Sequence, residues 1–345
     1  MPALCHLLNR LPMNDLLHPC DALFGHEAAR PALPVVDHYC GVEARMRKSL
    51  GLQAELGPIF DITLDAEDGA PVGGEAEHAL LIAELSMSSA NRFGRVGARV
   101  HPFGHAAFEA DVDTLIAKAG ERLAYLMIPK PESADEVARA ASFIDATCER
   151  HGAPKLPLQV LIETHGALRD VFRIAAHPRI ESLSFGLMDF VSAHGGAIPK
   201  TAMELPGQFE HPLVVRAKLE IAAAAHAYGK TPSHCVVTEF RDAERLSASA
   251  RRATREFGYT RMWSIHPDQI LPIVDAFAPA ADEITEAAEL LLAAQAARWA
   301  PISFESRLHD RASYRYFWTV LERAARTGRT LPEPAQRAFF PAAPG

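Results

Sequence analysis

The feature that most constrains this chain is a regular alternation of short β-forming segments with longer helical ones. Eight candidate strands follow one another: PVVDHY (34–39), PIFDITLD (58–65), VGARV (96–100), LAYLMI (123–128), LPLQVLI (156–162), ESLSFGL (181–187), HCVVT (234–238) and RMWSI (261–265). Between them run segments with helical periodicity, such as GEAEHALLIAELSMSSA, AFEADVDTLIAKA, SADEVARAASFIDATCERH and PLVVRAKLEIAAAAHAYG. Ser133 with Glu136 three residues on has capping-box spacing, and Gly229 stands where a left-handed helix cap is expected. Parallel strands need a crossover each time, and eight strand–helix repeats over about 240 residues are what a closed barrel requires. An open doubly wound sheet fits the same alternation, but no GxGxxG follows the first strand and no Walker lysine loop occurs. The expected fold is α/β, a TIM (β/α)8 barrel over 34–277. An irregular N-terminal extension, 1–33, precedes it. A C-terminal helical extension, 278–345, carries DEITEAAELLLAAQAARW and SYRYFWTVLERAART. The last fifteen residues, rich in Pro and Ala, are expected to be poorly ordered.

Composition narrows the class. The 345 residues are 48% hydrophobic, enough for a sizeable core, and Lys plus Arg (35) against Asp plus Glu (43) leave a net charge of −8. Such a balance disfavours a general nucleic-acid binder. Cys5, Cys20, Cys40, Cys148 and Cys235 are odd in number and lack CxxC spacing, which argues against a disulfide framework and a cysteine zinc site. No apolar run approaches the roughly 20 residues of a membrane span, and the opening residues lack a signal-peptide layout. The expectation is a soluble cytoplasmic protein with neither nucleic-acid nor membrane partners.

In a barrel the carboxyl ends of the strands carry the chemistry. Here they bring Asp65, Glu67 and Asp68 after the second strand, Arg99 at the third and Lys130 after the fourth. Glu163, Asp189, Glu239 and His266 follow the fifth to the eighth. A charge at the end of a buried strand must be paired, solvated or bound to a metal. Glu163 and Asp189 end neighbouring strands, and two carboxylates without a nearby His or Cys suit a hard cation such as Mg²⁺. Asp189 has a competing use as a helix N-cap, but the metal reading is preferred because Glu163 has no such alternative. Arg99, with its planar fork, suits a substrate carboxylate or serves as partner of Glu67 or Asp68.

The motifs LDAEDGAP, ARVHPF, MIPKPES, LIETHGAL, FGLMDFVSAHGG and WSIHPDQILPIVDAFAP occur in this order at strand ends. Together they resemble the citrate lyase β-subunit-like branch of the HpcH/HpaI aldolase superfamily, which includes malyl-CoA and citramalyl-CoA lyases. The resemblance covers roughly residues 34–295. It implies a TIM barrel with Mg²⁺ held by Glu163 and Asp189, Arg99 on the carboxylate or carbonyl of the substrate, and Glu67 and Asp68 beside the metal and its waters. It also implies a substrate pocket lined by Lys130 and by the backbone of Gly186, Leu187 and Met188. His266 takes a structural role beside Pro267. An Asp of the C-terminal segment, supplied across a subunit interface, is the family's acid/base; the matching residue is Asp310, which equally fits a helix N-cap. The implied assembly is a homo-oligomer, a trimer or hexamer.

These residue types suit carbon–carbon bond chemistry next to a thioester, which passes through an enolate. A divalent cation polarises the 2-oxo carbonyl, an arginine adds fixed positive charge, and a carboxylate moves the proton on the methyl carbon. The implied reactants are an acyl-CoA and a 2-oxo acid such as glyoxylate, pyruvate or oxaloacetate. Two departures stand out. The first strand of typical members ends in Pro-Gly-x-Arg near the CoA phosphates, where this chain reads VVDHYCGVEARMRKS; Arg45, Arg47 and Lys48 either substitute or form a solvated helix face. Asp37 and His38 reverse the His-Asp order of the pyruvate aldolases. The leading expectation is a lyase acting on a 3-hydroxyacyl-CoA. A class II aldolase for a free 2-oxo-4-hydroxy acid, a thioesterase or synthase using the same pocket, and a non-catalytic metal-binding barrel are the alternatives.

Overall fold

The computed structural model describes residues 16–25 and 32–341. The chain divides into two compact units: Arg30–Phe277, and a second formed by Met1–Ala29 with Ala278–Gly345.

In the first unit eight parallel strands close into a barrel in sequential order: β1 (Val36–Cys40), β2 (Phe60–Asp65), β3 (Val96–Arg99), β4 (Leu126–Ile128), β5 (Leu158–Ile162), β6 (Ile180–Phe185), β7 (Thr231–His234) and β8 (Arg261–Ser264). β8 returns to β1, with Val36 opposite Met262. All eight expected strands are present, and the seventh is displaced. HCVVT was expected to be the strand, but pairing runs through Thr231–His234, with Ser182 opposite Thr231 and Ser233 opposite Arg261. Pro232, which cannot donate to a ladder, hid the true strand. Cys235 and Val237 are apolar because they are buried just beyond it, where Gln269 donates to the Val237 carbonyl at 2.8 Å.

Alternation along each strand sorts the side chains. Phe60, Ile62 and Leu64 join the core between barrel and helices, while Asp61, Thr63 and Asp65 meet partners inside the barrel. The lower interior is polar. Arg261, fully buried, pairs with Asp61 at 2.5 Å and Asp37 at 3.4 Å, and Thr63 donates to Asp37 at 2.6 Å. Above it lies an apolar layer of Met127, Leu161 and Trp263, with Tyr39 and Val236 against it. That layer seals the barrel and forms the floor of the mouth.

Helices end where local chemistry dictates. Ser133 caps Ala134–His151 by accepting from the Glu136 amide, and Gly229 takes φ +66 after Pro212–Ala227. The Asp37–His38 pair forms no dyad: consecutive strand residues face opposite ways, so Asp37 meets Arg261 inside while His38 bonds Ser264 outside at 3.0 Å.

The second unit has its own core. It contains helices Pro19–Leu23, Ala281–Ala296, Arg311–Arg326 and Glu333–Phe339, and an antiparallel hairpin of β9 (Ile302–Phe304) and β10 (Arg307–His309). The hairpin turns on Glu305 and Ser306, both at positive φ, as a two-residue turn demands. The expectation of a poorly ordered tail is corrected for Glu333–Phe339, whose Ala335 and Phe339 are buried, Phe339 against Trp318. Residues 342–345, like most of the N-terminal extension, lie outside the described residues. Among the described residues no helix is long and apolar enough to cross a membrane.

Candidate active site

The charged residues that end β2 to β6 converge on the carboxyl-terminal mouth of the barrel. Asp65 and Arg99 are register partners at the ends of β2 and β3. Arg99 Nε donates to Asp65 Oδ1 at 2.5 Å, and Nη2 donates to Asp65 Oδ2 at 2.9 Å and to the Tyr39 hydroxyl at 2.6 Å. Nη1 lies 3.1 Å from Glu67 Oε2. The guanidinium also sits 4.9 Å from the Tyr39 ring centroid, and that ring stacks on Trp263 at 5.4 Å. Arg99 is 4% exposed. Burial works against the Asp65 carboxylate, but the Arg99 charge and hydrogen bonds outweigh it and hold its pKa below the ordinary range. Burial raises the Tyr39 phenol, which stays protonated and donates to Asp65.

The loop after β2 is built around this pair. The amides of Glu67 and Gly69 donate to Asp65 at 3.1 and 2.5 Å. A Cβ at Gly69 would overlap the Tyr39 hydroxyl and the Asp65 carboxylate, so only glycine fits. The turn thereby presents Glu67 and Asp68 to Lys130, whose Nζ donates to both, to Asp68 at 2.6 Å.

Glu163, at the end of β5, is 1% exposed and accepts from the Lys130 amide at 2.9 Å. Burial and then the Asp189 charge push its pKa well above the ordinary carboxylate range. Asp189 sits in the first turn of Leu187–Ser192, where Gly186, not Asp189, is the N-cap residue. Its nearest cation is Lys130 Nζ at 3.7 Å. Among the described residues no three His, Cys, Asp or Glu side chains are grouped to hold a metal. The site therefore offers two carboxylates. A buried carboxylate whose charge is opposed by burial and by a like-charged neighbour fits a hard divalent cation that keeps water and substrate in its other positions. Gly186 matters sterically as well: a Cβ there would overlap Glu163 Oε2.

Glu67, Asp68, Arg99, Lys130, Glu163 and Asp189 are thus brought together, with Gly186, Leu187 and Met188 alongside. Two other strand-end residues stand apart: Glu239 accepts from the Leu205 amide at 3.3 Å, and His266 caps Pro267–Gln269. Asp310, in the second unit, caps Arg311–Arg326 by accepting from the Ala312 amide at 2.9 Å. Arg47 pairs with Glu43 and Glu84, while Arg45 and Lys48 are exposed. Sequence reasoning missed Asp65 as the anchor of Arg99, and missed Tyr39 and Trp263 beneath it. The sequence showed only that Asp65 and Arg99 end neighbouring candidate strands; their pairing comes from the barrel register.

The family model for HpcH/HpaI aldolase/citrate lyase matches residues 62–267, from within β2 to just past β8. The chain belongs to the HpcH/HpaI aldolase/citrate lyase family. As a member of that family it is a carbon–carbon lyase. A crystal structure of a citrate lyase from Burkholderia xenovorans LB400 is 56% identical, covering 94% of this chain and 99% of that one, with a TM-score of 0.82. The L-malyl-CoA/β-methylmalyl-CoA lyase of Cereibacter sphaeroides is 29% identical over 279 residues, 76% of this chain and 86% of that protein. CitE from Mycobacterium tuberculosis, solved with magnesium, acetoacetate and coenzyme A, shares the fold at 22% identity and a TM-score of 0.66, covering 85% of this chain and 99% of that one.

Proposed function

We propose that this family member is a Mg²⁺-dependent acyl-CoA lyase. It cleaves, or in reverse forms, a 3-hydroxyacyl-CoA such as malyl-CoA or citramalyl-CoA. The products are an acyl-CoA and a 2-oxo acid such as glyoxylate, pyruvate or oxaloacetate. The observation that carries this reading is the buried Glu163 beside Asp189, facing Arg99 across a closed barrel mouth. The likeness to a malyl-CoA lyase and to a magnesium- and CoA-bound relative supports it.

Glu163 and Asp189 would hold the cation, which supplies a Lewis acid for the 2-oxo carbonyl and for charge developing on its oxygen. In the cleavage direction the 3-hydroxyl gives its proton to Glu67 and the carbon–carbon bond breaks. Its electron pair passes to the carbon next to the thioester, giving an enolate that is then protonated to the acyl-CoA. Arg99 contributes through Nη1, because Nε and Nη2 are committed to Asp65 and Tyr39. A fixed donor aimed at one developing oxyanion needs no reorganisation during reaction. Glu67, shared by Arg99 and Lys130, keeps both cations at the mouth and accepts the hydroxyl's hydrogen bond. Asp68 orients Lys130, which retains an N–H for a substrate carboxylate. The backbone of Gly186, Leu187 and Met188 lines the acid's side of the pocket. Asp310 of a second copy of the chain is the proton donor to the methyl carbon in this reading, which makes the enzyme a homo-oligomer. Exposed Arg45 and Lys48 are the basic residues available to a CoA phosphate after β1. Free Cys20, Cys40, Cys148 and Cys235 accord with a reducing, cytoplasmic setting.

The deciding experiment offers a panel of 3-hydroxyacyl-CoA thioesters and free 2-oxo-4-hydroxy acids, each with Mg²⁺ and with chelator. Metal-dependent release of acetyl-CoA or propionyl-CoA is expected. Turnover of the free acids alone would make the protein a class II aldolase, and silence across the panel would refute the proposal. Glu163→Gln is expected to abolish both turnover and Mg²⁺ binding while leaving the thermal transition intact.

A further inference from the structure

Lys130 carries more contacts in the mouth than a substrate ligand needs. Its backbone adopts φ +48, a left-handed conformation unusual for a residue other than glycine, and Pro131 follows it. Such a conformation persists only where the surroundings over-determine it. Here the Lys130 amide donates to Glu163 at 2.9 Å. Its ammonium donates to Glu67 and Asp68 and lies 3.7 Å from Asp189. One residue, through its backbone and its side chain, reaches all four carboxylates. Against these four carboxylates it brings one positive charge, while Arg99 divides its own between Asp65 and Glu67.

We propose that Lys130 is the built-in counter-cation of this mouth: it holds the carboxylates together in the metal-free protein and sets how tightly a divalent cation binds at Glu163 and Asp189. The inference rests on the reading of those two residues as the metal pair. An incoming divalent ion meets a like charge, and the flexible lysine stem lets the ammonium retreat from Asp189, its longest contact, onto Glu67 and Asp68. Removing the ammonium takes away that repulsion and leaves the mouth more negative, and both effects strengthen cation binding. A like charge held within a few ångströms costs a divalent ion about tenfold in affinity even at water-like screening.

The test is calorimetric titration of Mg²⁺ into the metal-free full-length protein, its Lys130→Met and Lys130→Gly variants, and each of the three combined with Glu163→Gln. Glycine takes the left-handed backbone without strain, so Lys130→Gly remains readable should Lys130→Met fold poorly. Both variants are expected to bind Mg²⁺ about tenfold more tightly than wild type, and Glu163→Gln to abolish binding in every background. Thermal melts give a second readout: the variants melt below wild type without metal, and added Mg²⁺ closes the gap. Affinity no tighter than wild type, with Glu163→Gln still abolishing it, overturns the role of Lys130 alone. Binding that survives Glu163→Gln in wild type, or no binding by any form, overturns the metal pair and this inference with it.

Discussion

Gly186 precedes the helix that bears Asp189, and the space its side chain lacks is filled by Glu163. A methyl group there would strike not only Oε2 but also Cβ and Cδ, so rotating the carboxylate away cannot relieve the clash. Gly186→Ala is therefore expected to cost about 1–3 kcal/mol of stability by overpacking and to move Glu163 off its position. Turnover and Mg²⁺ affinity should both fall at least about tenfold, since small misplacements of a catalytic group are costly. Unchanged calorimetry and kinetics would show that the mouth yields at no cost. Tyr39 makes the complementary case. Tyr39→Phe keeps the stack on Trp263 but removes one of the two acceptors of Arg99 Nη2, leaving Asp65. If Arg99 acts mainly in the transition state, kcat should drop about tenfold while KM moves little. A rise in KM alone would assign Arg99 to ground-state binding. The residue types of the mouth were readable in the sequence because each follows a β-forming segment. The partition of Arg99 among Asp65, Tyr39 and Glu67 was not, since it depends on which side chains face inward at the same height. Tyr39 in particular sat in a stretch noticed for the proline and arginine it lacks.

Helix Pro212–Ala227 carries a cost that strand and helix patterns conceal. Lys218 lies on its buried face, fully enclosed, with Nζ 3.0 Å from Gln208 Oε1 and 3.8 Å from the Phe209 ring centroid. Burial lowers its pKa to about 8. Because the folded value lies below the unfolded one, the unfolded chain binds more protons between about pH 8 and 10.5, and stability rises with pH across that window. Relative to Lys218→Met, wild type should gain about 3 kcal/mol between the two pH values. Denaturant melts of both proteins at pH 8 and pH 10.5 check this, and a constant difference between them would mean that Lys218 is neutral throughout or finds a compensating charge. At this scale the sequence was a good guide wherever periodicity and burial agree. It went astray at β7, where a proline stands inside the true strand and apolar residues follow outside it. Glu333–Phe339 was hidden for a similar reason, because a Pro- and Ala-rich stretch gains its helix by burying Phe339.

At the level of the whole molecule the decisive residue is Asp310, which belongs to a different compact unit from Glu163 and Asp189. Its visible task is local: it receives the Ala312 amide at the start of Arg311–Arg326. Asn caps helices about as well as Asp, so Asp310→Asn should leave the thermal midpoint within a degree or two of wild type, a shift of about 0.5 kcal/mol or less. Asn cannot deliver a proton, so the same variant should lose at least about a hundredfold in kcat if Asp310 is the acid that protonates the enolate. Retained activity would leave Asp310 a cap and nothing more. A site completed by a second copy makes a stronger demand that no monomeric arrangement meets. Glu163→Gln and Asp310→Asn, each inactive alone, should recover activity when their subunits are dissociated, mixed and reassembled, because some mixed sites then combine an intact Glu163 with an intact Asp310. The recovered fraction should follow the mixing ratio and vanish if the two proteins are mixed without subunit exchange. Recovery would establish assembly as a condition of catalysis. A mixture that stays silent, with exchange verified by mass, would mean that Glu163 and Asp310 must be intact in the same chain and would remove the shared site.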